Sequence, residues 1–289
     1  MSKIEEGAYA EGFQMKVARL LITAASQELA DISARATTGF GTSVIASPAE
    51  AGIEGPLPSS TPDGRPGRII QIWHGSKKKL KAQLLNRIGQ CILTAPTTAV
   101  FDALEGPDET YDPKIRFFGD GFQQKATVGG RNVSRVPVMD GEFIIENEFG
   151  IKKGVAGGNL IIIGETAAGT LQATQTAVIS ILTLPGVVLS FPGGICRSGS
   201  KVGSLKYSKF LHASTNHRFC PTLRDKVEDT LLEPNAGCVY EIVINGLDEE
   251  TVQKAMKKGA NTAVEHKTVL KVTAANYGGS LGQYKIPLT

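Results

Sequence analysis

The chain has 289 residues, of which 41% are hydrophobic and 20% charged, and it contains 33 glycines and 14 prolines. This apolar content supports a packed core and excludes an intrinsically disordered protein, and glycines without a three-residue period exclude collagen. The 31 basic and 28 acidic residues give a net charge of +3, which is too small to indicate a nucleic-acid-binding protein by itself.

In the first half of the chain, the hydrophobic pattern alternates between strands and helices. Apolar runs predict strands at 17–22, 43–46 and 69–73, and residues 27–36 have helical character. Apolar residues spaced four, four and three positions apart predict one face of a second helix: Leu80, Leu84, Ile88 and Cys91. Residues 54–66 are rich in Pro, Gly and Ser and predict a loop. Short segments between glycine turns predict extra strands at 114–118, 125–128, 135–138 and 142–146.

The second half repeats this order of elements. Strands are predicted at 159–164, 187–191, 239–244 and 269–273, with one helix at 171–182. A second helix has its apolar face at Val252, Met256, Ala260 and Ala263. The repeat predicts an α+β fold of two ferredoxin-like (βαββαβ) lobes with antiparallel sheets, an N-terminal lobe at 1–148 and a C-terminal lobe at 149–289. Residues 191–240 have little periodicity and include a predicted loop at 197–203. Such a long irregular segment is typical of a binding site.

Two short motifs resemble catalytic signatures but lack the companion elements of those signatures. His212, His217 and Cys220 lie close in sequence, yet a zinc site needs a fourth ligand or an open position, and loose spacing of this kind often arises by chance. Residues 198–201 have the SxxK spacing of acylating serine enzymes without their partner motifs. A loop whose backbone N–H groups cradle a ligand is the better interpretation, and no metal is expected.

Glu241 is the strongest single candidate for acid–base chemistry. Strand alternation places its side chain on one sheet face with Val239, Val243 and Asn245. If that face is solvated, Glu241 is an ordinary surface acid. If the face is covered, burial raises the pKa of the carboxyl towards neutrality and produces a general acid or base.

Two further polar residues follow predicted strands. Glu50 lies just past a strand end, where an exposed loop acid is the ordinary interpretation. Asn276 precedes Gly278 and Gly279, where a role in a turn is equally compatible with the sequence.

Export and membrane insertion are not indicated. Residues 1–13 are acidic and lack the apolar core of a signal peptide, and the apolar runs fall far below the roughly 18 residues of a membrane span. The four cysteines form no CxxC pair. A cytoplasmic protein with reduced thiols and no membrane contact is therefore expected.

Sequence stretches along nearly the whole chain resemble those of the formylmethanofuran:tetrahydromethanopterin formyltransferase family. Among the matching stretches are ARLLITA at 18–24, TGFGTSVI at 38–45, TPDGRPG at 61–67, GVAGGN at 154–159 and YEIVINGL at 240–247. Their order and extent make the resemblance specific. It implies two ferredoxin-like lobes and reversible transfer of a formyl group from the amine of methanofuran to tetrahydromethanopterin, giving N5-formyl-tetrahydromethanopterin in one-carbon metabolism. It also implies a cytoplasmic homotetramer built as a dimer of dimers, with no tightly bound cofactor, because both carriers are substrates.

The resemblance favours the functional interpretation of Glu241, which lies in the YEIVING segment. We expect Glu241 to move the proton during formyl transfer through a tetrahedral intermediate. Six further residues are expected to bind substrate, on weaker grounds than the role of Glu241: Ser198, Gly199, Lys201, Asn245, Asn276 and Glu50. Lys201 suits an anionic tail of a carrier.

Two departures from the family pattern support an alternative function. Cys196 and Arg197 stand where two small apolar residues are expected before residues 198–201, and the short apolar tail expected after the last strand is missing. The alternative is a divergent paralogue that serves as a non-catalytic or coenzyme-binding subunit of a larger formyltransferase/hydrolase complex. Retention of Glu241 and of the glycine loops favours the active enzyme.

Overall fold

The first lobe is built around one long strand in a computed structural model that describes residues 2–289. Its elements are β1 (Tyr9–Thr23), α1 (Gln27–Thr38), β2 (Glu50–Ile53), β3 (Gly67–His74), α2 (Lys77–Arg87) and β4 (Ala99–Asp102), and α2 continues as a π-helical turn at Ile88–Ile92. The sheet order is β2-β3-β1-β4, and each neighbouring pair is antiparallel. This is the strand order of a ferredoxin-like unit.

Additional strands extend the first lobe. They are β5 (Glu109–Tyr111), β6 (Gln124–Val128), β7 (Arg131–Val138) and β8 (Gly141–Glu146). The β6–β7–β8 meander is antiparallel, and β8 joins the lobe by parallel pairing with β4. The meander widens the sheet at the edge farthest from the second lobe.

The second lobe repeats the arrangement. Its elements are β9 (Phe149–Gly164), α3 (Ala167–Ile181), β10 (Val187–Val188), β11 (Ser200–Val202), β12 (Ala213–Thr215), β13 (Cys238–Gly246), α4 (Glu249–Val264), β14 (Val269–Thr273) and β15 (Tyr284–Pro287). The order β10-β13-β9-β14 is again antiparallel throughout. β11 and β12 form a separate hairpin within the otherwise irregular segment between β10 and β13.

The two lobe sheets join through their longest strands. Residues 13–17 of β1 pair antiparallel with residues 152–156 of β9, and the last strand, β15, pairs with the start of β1. One continuous sheet therefore runs through both lobes. The predicted α+β class with two lobes and mainly antiparallel sheets is confirmed. None of the helices within residues 2–289 is both long and apolar enough to cross a membrane.

Several predicted elements were wrong in detail. The predicted strand at 43–46 is absent, because residues 44–46 form a turn and the strand begins later, at Glu50, where β2 pairs with β3. Residues 114–118 are not a strand, because a 3-10 turn spans Ile115–Gly119 between two residues in left-handed conformation, Lys114 and Asp120. The predicted strand at 187–191 shrinks to two residues, and the predicted loop at 197–203 contains β11.

The helices of each lobe cover one face of its sheet. In the second lobe, the predicted apolar face of α4 is buried against Leu160 and Ile162 of β9 and against Ile242 and Ile244 of β13. Asp248 starts α4 as its N-cap, since its side chain accepts from the Thr251 N–H at 2.8 Å. The sheet face opposite these helices is covered by irregular chain instead.

A buried ion pair ties the first lobe to the second. Glu54, only 1% exposed, accepts from Arg19 at 2.6 and 2.9 Å and from Gln71 at 2.6 Å. Its Oε2 also accepts from the backbone N–H of Gly186, 132 positions along the chain, at 2.9 Å. Each carboxylate oxygen of Glu54 accepts two hydrogen bonds, and this buried cluster fixes the lobe junction.

Candidate active site

Glu241 lies in the middle of β13 on the face of the second-lobe sheet that is turned away from α3 and α4. The adjacent Ile242 packs into the helical core, so alternation directs Glu241 to the opposite face. Residues of the irregular segment cover that face, and Leu232 and Ala236 are its buried members there. Of the two interpretations open from the sequence, the covered face is the one observed.

The carboxyl of Glu241 is crowded by uncharged groups. Asn159 on β9 directs its amide Nδ2 to Oε1 of Glu241 at 3.4 Å. On the other side of β13, Cys196 lies directly opposite Glu241 and exchanges two backbone hydrogen bonds with it, at 2.7 and 3.0 Å. Glu241 as a residue is partly buried. Its carboxyl therefore lies in a partly apolar environment without the residue being fully enclosed.

Burial raises the pKa of Glu241 to about 7, although hydrogen bonds from Cys196 and Asn159 act in the opposite direction. No cation contributes to that pKa. A partly buried carboxyl whose pKa lies near neutrality has the properties of a general acid and base.

A glycine-rich loop at residues 276–282 contributes a second titratable group to the site. Its Tyr277 is 40% exposed. Burial of the phenol raises its pKa, and the nearby carboxylates of Glu241 and Glu11 raise it further. Tyr277 also meets Phe13 edge-on, with ring centroids 6.2 Å apart. The Tyr277 phenol is therefore coupled electrostatically to the Glu241 carboxylate.

The predicted residues Ser198, Gly199 and Lys201 lie in the chain that leads from Cys196 into the β11–β12 hairpin. The Ser198 hydroxyl is 3.4 Å from the Cys196 sulfur, and Gly199 adopts a positive φ of 50°. Lys201 donates to the hydroxyl of Ser214 on β12 at 3.4 Å. Ser198 thereby contacts Cys196, which lies opposite Glu241, whereas the hydrogen bond of Lys201 stays within its own hairpin.

Glu50 and Asn245 meet each other, although 195 positions separate them. The Asn245 amide donates to Glu50 at 2.7 Å, and its oxygen accepts from the Gly157 N–H at 3.1 Å. Glu50 is 8% and Asn245 1% exposed, and burial raises the pKa of Glu50. Both residues lie at the junction between the lobes, and their assignment to substrate binding stays a prediction.

Asn276 opens the glycine-rich loop and borders a cavity. Its Nδ2 donates to the Tyr9 carbonyl at 3.2 Å, and its Oδ1 accepts from the Gly278 N–H at 3.0 Å. The cavity, of about 260 Å³, lies beside β14 and is lined in part by Asn216, Arg218, Lys271 and Thr273. Thr273 and Glu241 both pair with Ile161 of the intervening strand β9, so the cavity adjoins the site.

Sequence reasoning missed Asn159, Tyr277 and Glu11. Asn159 had a usable signal, because it is a polar residue within the otherwise apolar second half of β9. Tyr277 and Glu11 gave no comparable local signal, since their contacts span about 270 positions of sequence. Within residues 2–289, no group of three or more His, Cys, Asp and Glu side chains is arranged to hold a metal ion.

Family models cover the chain in two parts. Residues 2–138 match the model described as formylmethanofuran-tetrahydromethanopterin formyltransferase, and residues 141–289 match the one described as the proximal lobe of that protein.

Individual relatives extend over almost the full chain. A formylmethanofuran–tetrahydromethanopterin formyltransferase from Methanothermobacter thermautotrophicus is 54% identical, and one from Archaeoglobus fulgidus is 52% identical, each over 98% of this chain and 96% of its own length. The structure of the Methanosarcina barkeri enzyme superposes with a TM-score of 0.96 at 49% identity, over 99% of this chain and 97% of that one. A chain of the formyltransferase/hydrolase complex (FhcABCD) of Methylorubrum extorquens, solved with methylofuran, superposes with a TM-score of 0.91 at 41% identity, over 98% and 94%.

Proposed function

The chain belongs to the formylmethanofuran–tetrahydromethanopterin formyltransferase family, and we propose that it transfers a formyl group reversibly between methanofuran and tetrahydromethanopterin with Glu241 as the proton carrier. It is an enzyme, a transferase, as the resemblance of its sequence predicted. The alternative of a non-catalytic subunit finds no support in these relatives, which are named for the activity. The observation that carries the role of Glu241 is its position on a covered sheet face, in a residue that is only partly buried.

The reaction forms one C–N bond and breaks another. A ring nitrogen of tetrahydromethanopterin attacks the formyl carbon, and the carbonyl electron pair moves to oxygen, which gives a tetrahedral oxyanion. The oxyanion collapses, restores the carbonyl and expels the amine of methanofuran. Fixed donors stabilise such an oxyanion, and we assign this role to the phenol of Tyr277, whose pKa is raised in part by the charge of Glu241.

One proton crosses from the attacking to the leaving nitrogen during this exchange. Glu241 as carboxylate accepts it from the attacking nitrogen and, as carboxylic acid, returns it to the departing amine. A pKa of about 7 favours both half-steps, because neither form of the acid is strongly preferred near neutrality. The same residue serves both directions of transfer, and no metal or bound cofactor enters the scheme.

The proposal predicts an acid limb in the pH profile. Attack requires the carboxylate form of Glu241, so kcat/KM falls about tenfold for each pH unit below the pKa of about 7. The measurement is the initial rate of formyl transfer from about pH 5 to pH 8.5 at low substrate concentration. An ordinary carboxyl would place this limb near 4.5, and a limb found there contradicts the assignment.

The remaining assignments follow the same proposal. Ser198, Gly199 and Lys201 hold one carrier beside the site, with Lys201 on an anionic tail, and Asn276 orients a polar group of a carrier at the cavity beside β14. Two features support Ser198 and Gly199 here: the contact of Ser198 with Cys196 and the positive φ of Gly199. Four cysteines without a disulfide agree with a reducing cytoplasm.

We also propose a homotetramer, a dimer of dimers, as the active form. Multi-angle light scattering should then give a mass four times the 30.6 kDa of one chain, whereas a monomer or dimer at working concentration contradicts the proposal. The chain in the Methylorubrum complex assembles with hydrolase subunits, so co-purification with other subunits is the corresponding test for a larger complex around this chain.

A further inference from the structure

The carboxylate of Glu11 lies buried at the centre of the loop formed by residues 276–282. Glu11 is 3% exposed and belongs to β1, at the opposite end of the sequence from the loop. Its two oxygens accept four backbone N–H groups at 2.5–3.1 Å, donated by Tyr277, Gly279, Leu281 and Gly282. Burial alone raises the pKa of Glu11, but these four donors outweigh burial and hold that pKa below its usual range.

The loop depends on this carboxylate for its shape. Gly278 and Gly279 adopt positive φ values of 76° and 75°, and the loop contains no helix or strand. Backbone N–H groups turned inward in this way need an anionic or oxygen acceptor, and Glu11 supplies it for four of them. Gly282 lies so close to Glu11 that a Cβ on this glycine would come within 2.7 Å of the Glu11 Cβ.

The loop is connected to Glu241 at two points. The backbone N–H of Tyr277 binds Glu11, and the charge of the Glu241 carboxylate raises the pKa of the Tyr277 phenol. At the start of the loop, the Ala275 N–H donates at 2.9 Å to the same Asn159 side chain that contacts Glu241. A change in the loop therefore reaches both the phenol and the amide beside the reacting carboxyl.

We propose that Glu11 is a positioning residue for formyl transfer: by folding residues 276–282 around its carboxylate, it fixes Tyr277 and the Asn159 contact beside Glu241. This inference rests on the proposed function of Glu241. Glu11 itself touches neither carrier and moves no proton in the reaction.

The decisive variant is Glu11→Gln, which keeps the shape of the side chain but replaces one acceptor oxygen by an NH₂ donor. Two inward N–H groups then lose their acceptor, so hydrogen exchange of residues 277–282 accelerates and kcat falls about 10²-fold, the loss typical of a reacting group displaced by about 1 Å. Glu11→Asp keeps the charge and recovers part of kcat. Glu6→Gln, at an exposed acid on the same N-terminal segment, leaves exchange and rate unchanged.

The pH profile separates positioning from a loss of stability. The titratable groups that face Glu241 among residues 2–289 are the Cys196 thiol from the neighbouring chain edge and the Tyr277 phenol from the loop, with Glu11 next to Tyr277. When the loop loosens, Asn159 loses the Ala275 N–H that holds it, and its hydrogen bond to Glu241, which lowers the pKa of that carboxyl, weakens. The acid limb of kcat/KM therefore moves to higher pH in Glu11→Gln. A lower melting temperature with an unmoved limb and unchanged kcat overturns the proposal.

Two further measurements keep the test decisive. If Glu11→Gln does not assemble, Tyr277→Ala replaces it, because this variant keeps the Glu11 carboxylate and removes the positioned side chain; full activity of Tyr277→Ala overturns the proposal. Glu241→Gln is assayed in parallel. An active Glu241→Gln refutes the proposed role of Glu241, whereas an inactive Glu241→Gln beside a fully active Glu11→Gln refutes only the role of Glu11.

Discussion

Glu241→Gln is expected to lower kcat for formyl transfer about 10²–10⁴-fold, the range for loss of a general acid–base group. Glutamine fills the same space and keeps a contact with Asn159, but it neither accepts the proton from the attacking nitrogen nor returns one to the amine. Substrate binding changes little, since glutamine has nearly the same shape and size as glutamate. Single-turnover formation of the formylated pterin, followed by ultraviolet absorbance, measures the effect.

Glu265→Gln provides a matched control, because Glu265 is an exposed acid of the same lobe.

The pH dependence of the melting temperature provides a second control. The raised pKa of folded Glu241 means that the wild-type protein loses stability as the pH rises from about 4.5 to about 7. The neutral glutamine avoids this loss, so the variant melts at or above the wild-type temperature near pH 8 and equally near pH 4. Near-normal kcat in the folded variant contradicts the assignment.

Glu54→Ala is expected to destabilise the fold by about 3–5 kcal/mol, because it removes one partner of a buried ion pair. Arg19 keeps its charge in a site that is only 15% exposed, and the donors of Gln71 and Gly186 lose their acceptor. The melting temperature should fall on the order of 10 °C. Thermal unfolding at fixed protein concentration measures it, since assembly also shifts the transition.

The exposed pair Arg135–Glu142 provides the comparison. Its side chains are 44% and 48% exposed, and the N–O distance is 3.3 Å, so Glu142→Ala should cost at most about 1 kcal/mol. If Glu54→Ala lowers the melting temperature no more than Glu142→Ala does, the buried cluster does not fix the lobe junction.

The lobes were predictable because the helices and strands of each ferredoxin-like unit show regular spacing of their apolar residues in the sequence. The α4 positions Val252, Met256, Ala260 and Ala263 recur at helical spacing, and all four are buried. The local pattern gave a wrong strand prediction where a side chain starts a turn within a segment of alternating polar and apolar residues. Residues 114–118 alternate like a strand, but the carboxylate of Asp112 accepts from the Lys114 N–H at 2.7 Å and starts a turn, which leaves Phe117 and Phe118 exposed.

The site was predictable only in part, for a related reason. Strand alternation supplied the direction of the Glu241 side chain, but whether that face was covered depended on Leu232 and Ala236, which belong to a segment without periodicity. The groups that surround the carboxyl come from distant parts of the chain. Asn159 is 82 positions from Glu241, and Glu11 is about 270 positions from the loop that it holds. No local pattern encodes such contacts.

The most direct test of the account is single-turnover formyl transfer by the purified wild-type chain alone, with formylmethanofuran and tetrahydromethanopterin and no other protein. We expect N5-formyl-tetrahydromethanopterin to form until the reversible transfer reaches equilibrium, with a rate that declines below about pH 7. Saturable binding of the pterin without any formylated product would contradict it and would identify the chain as a carrier-binding subunit.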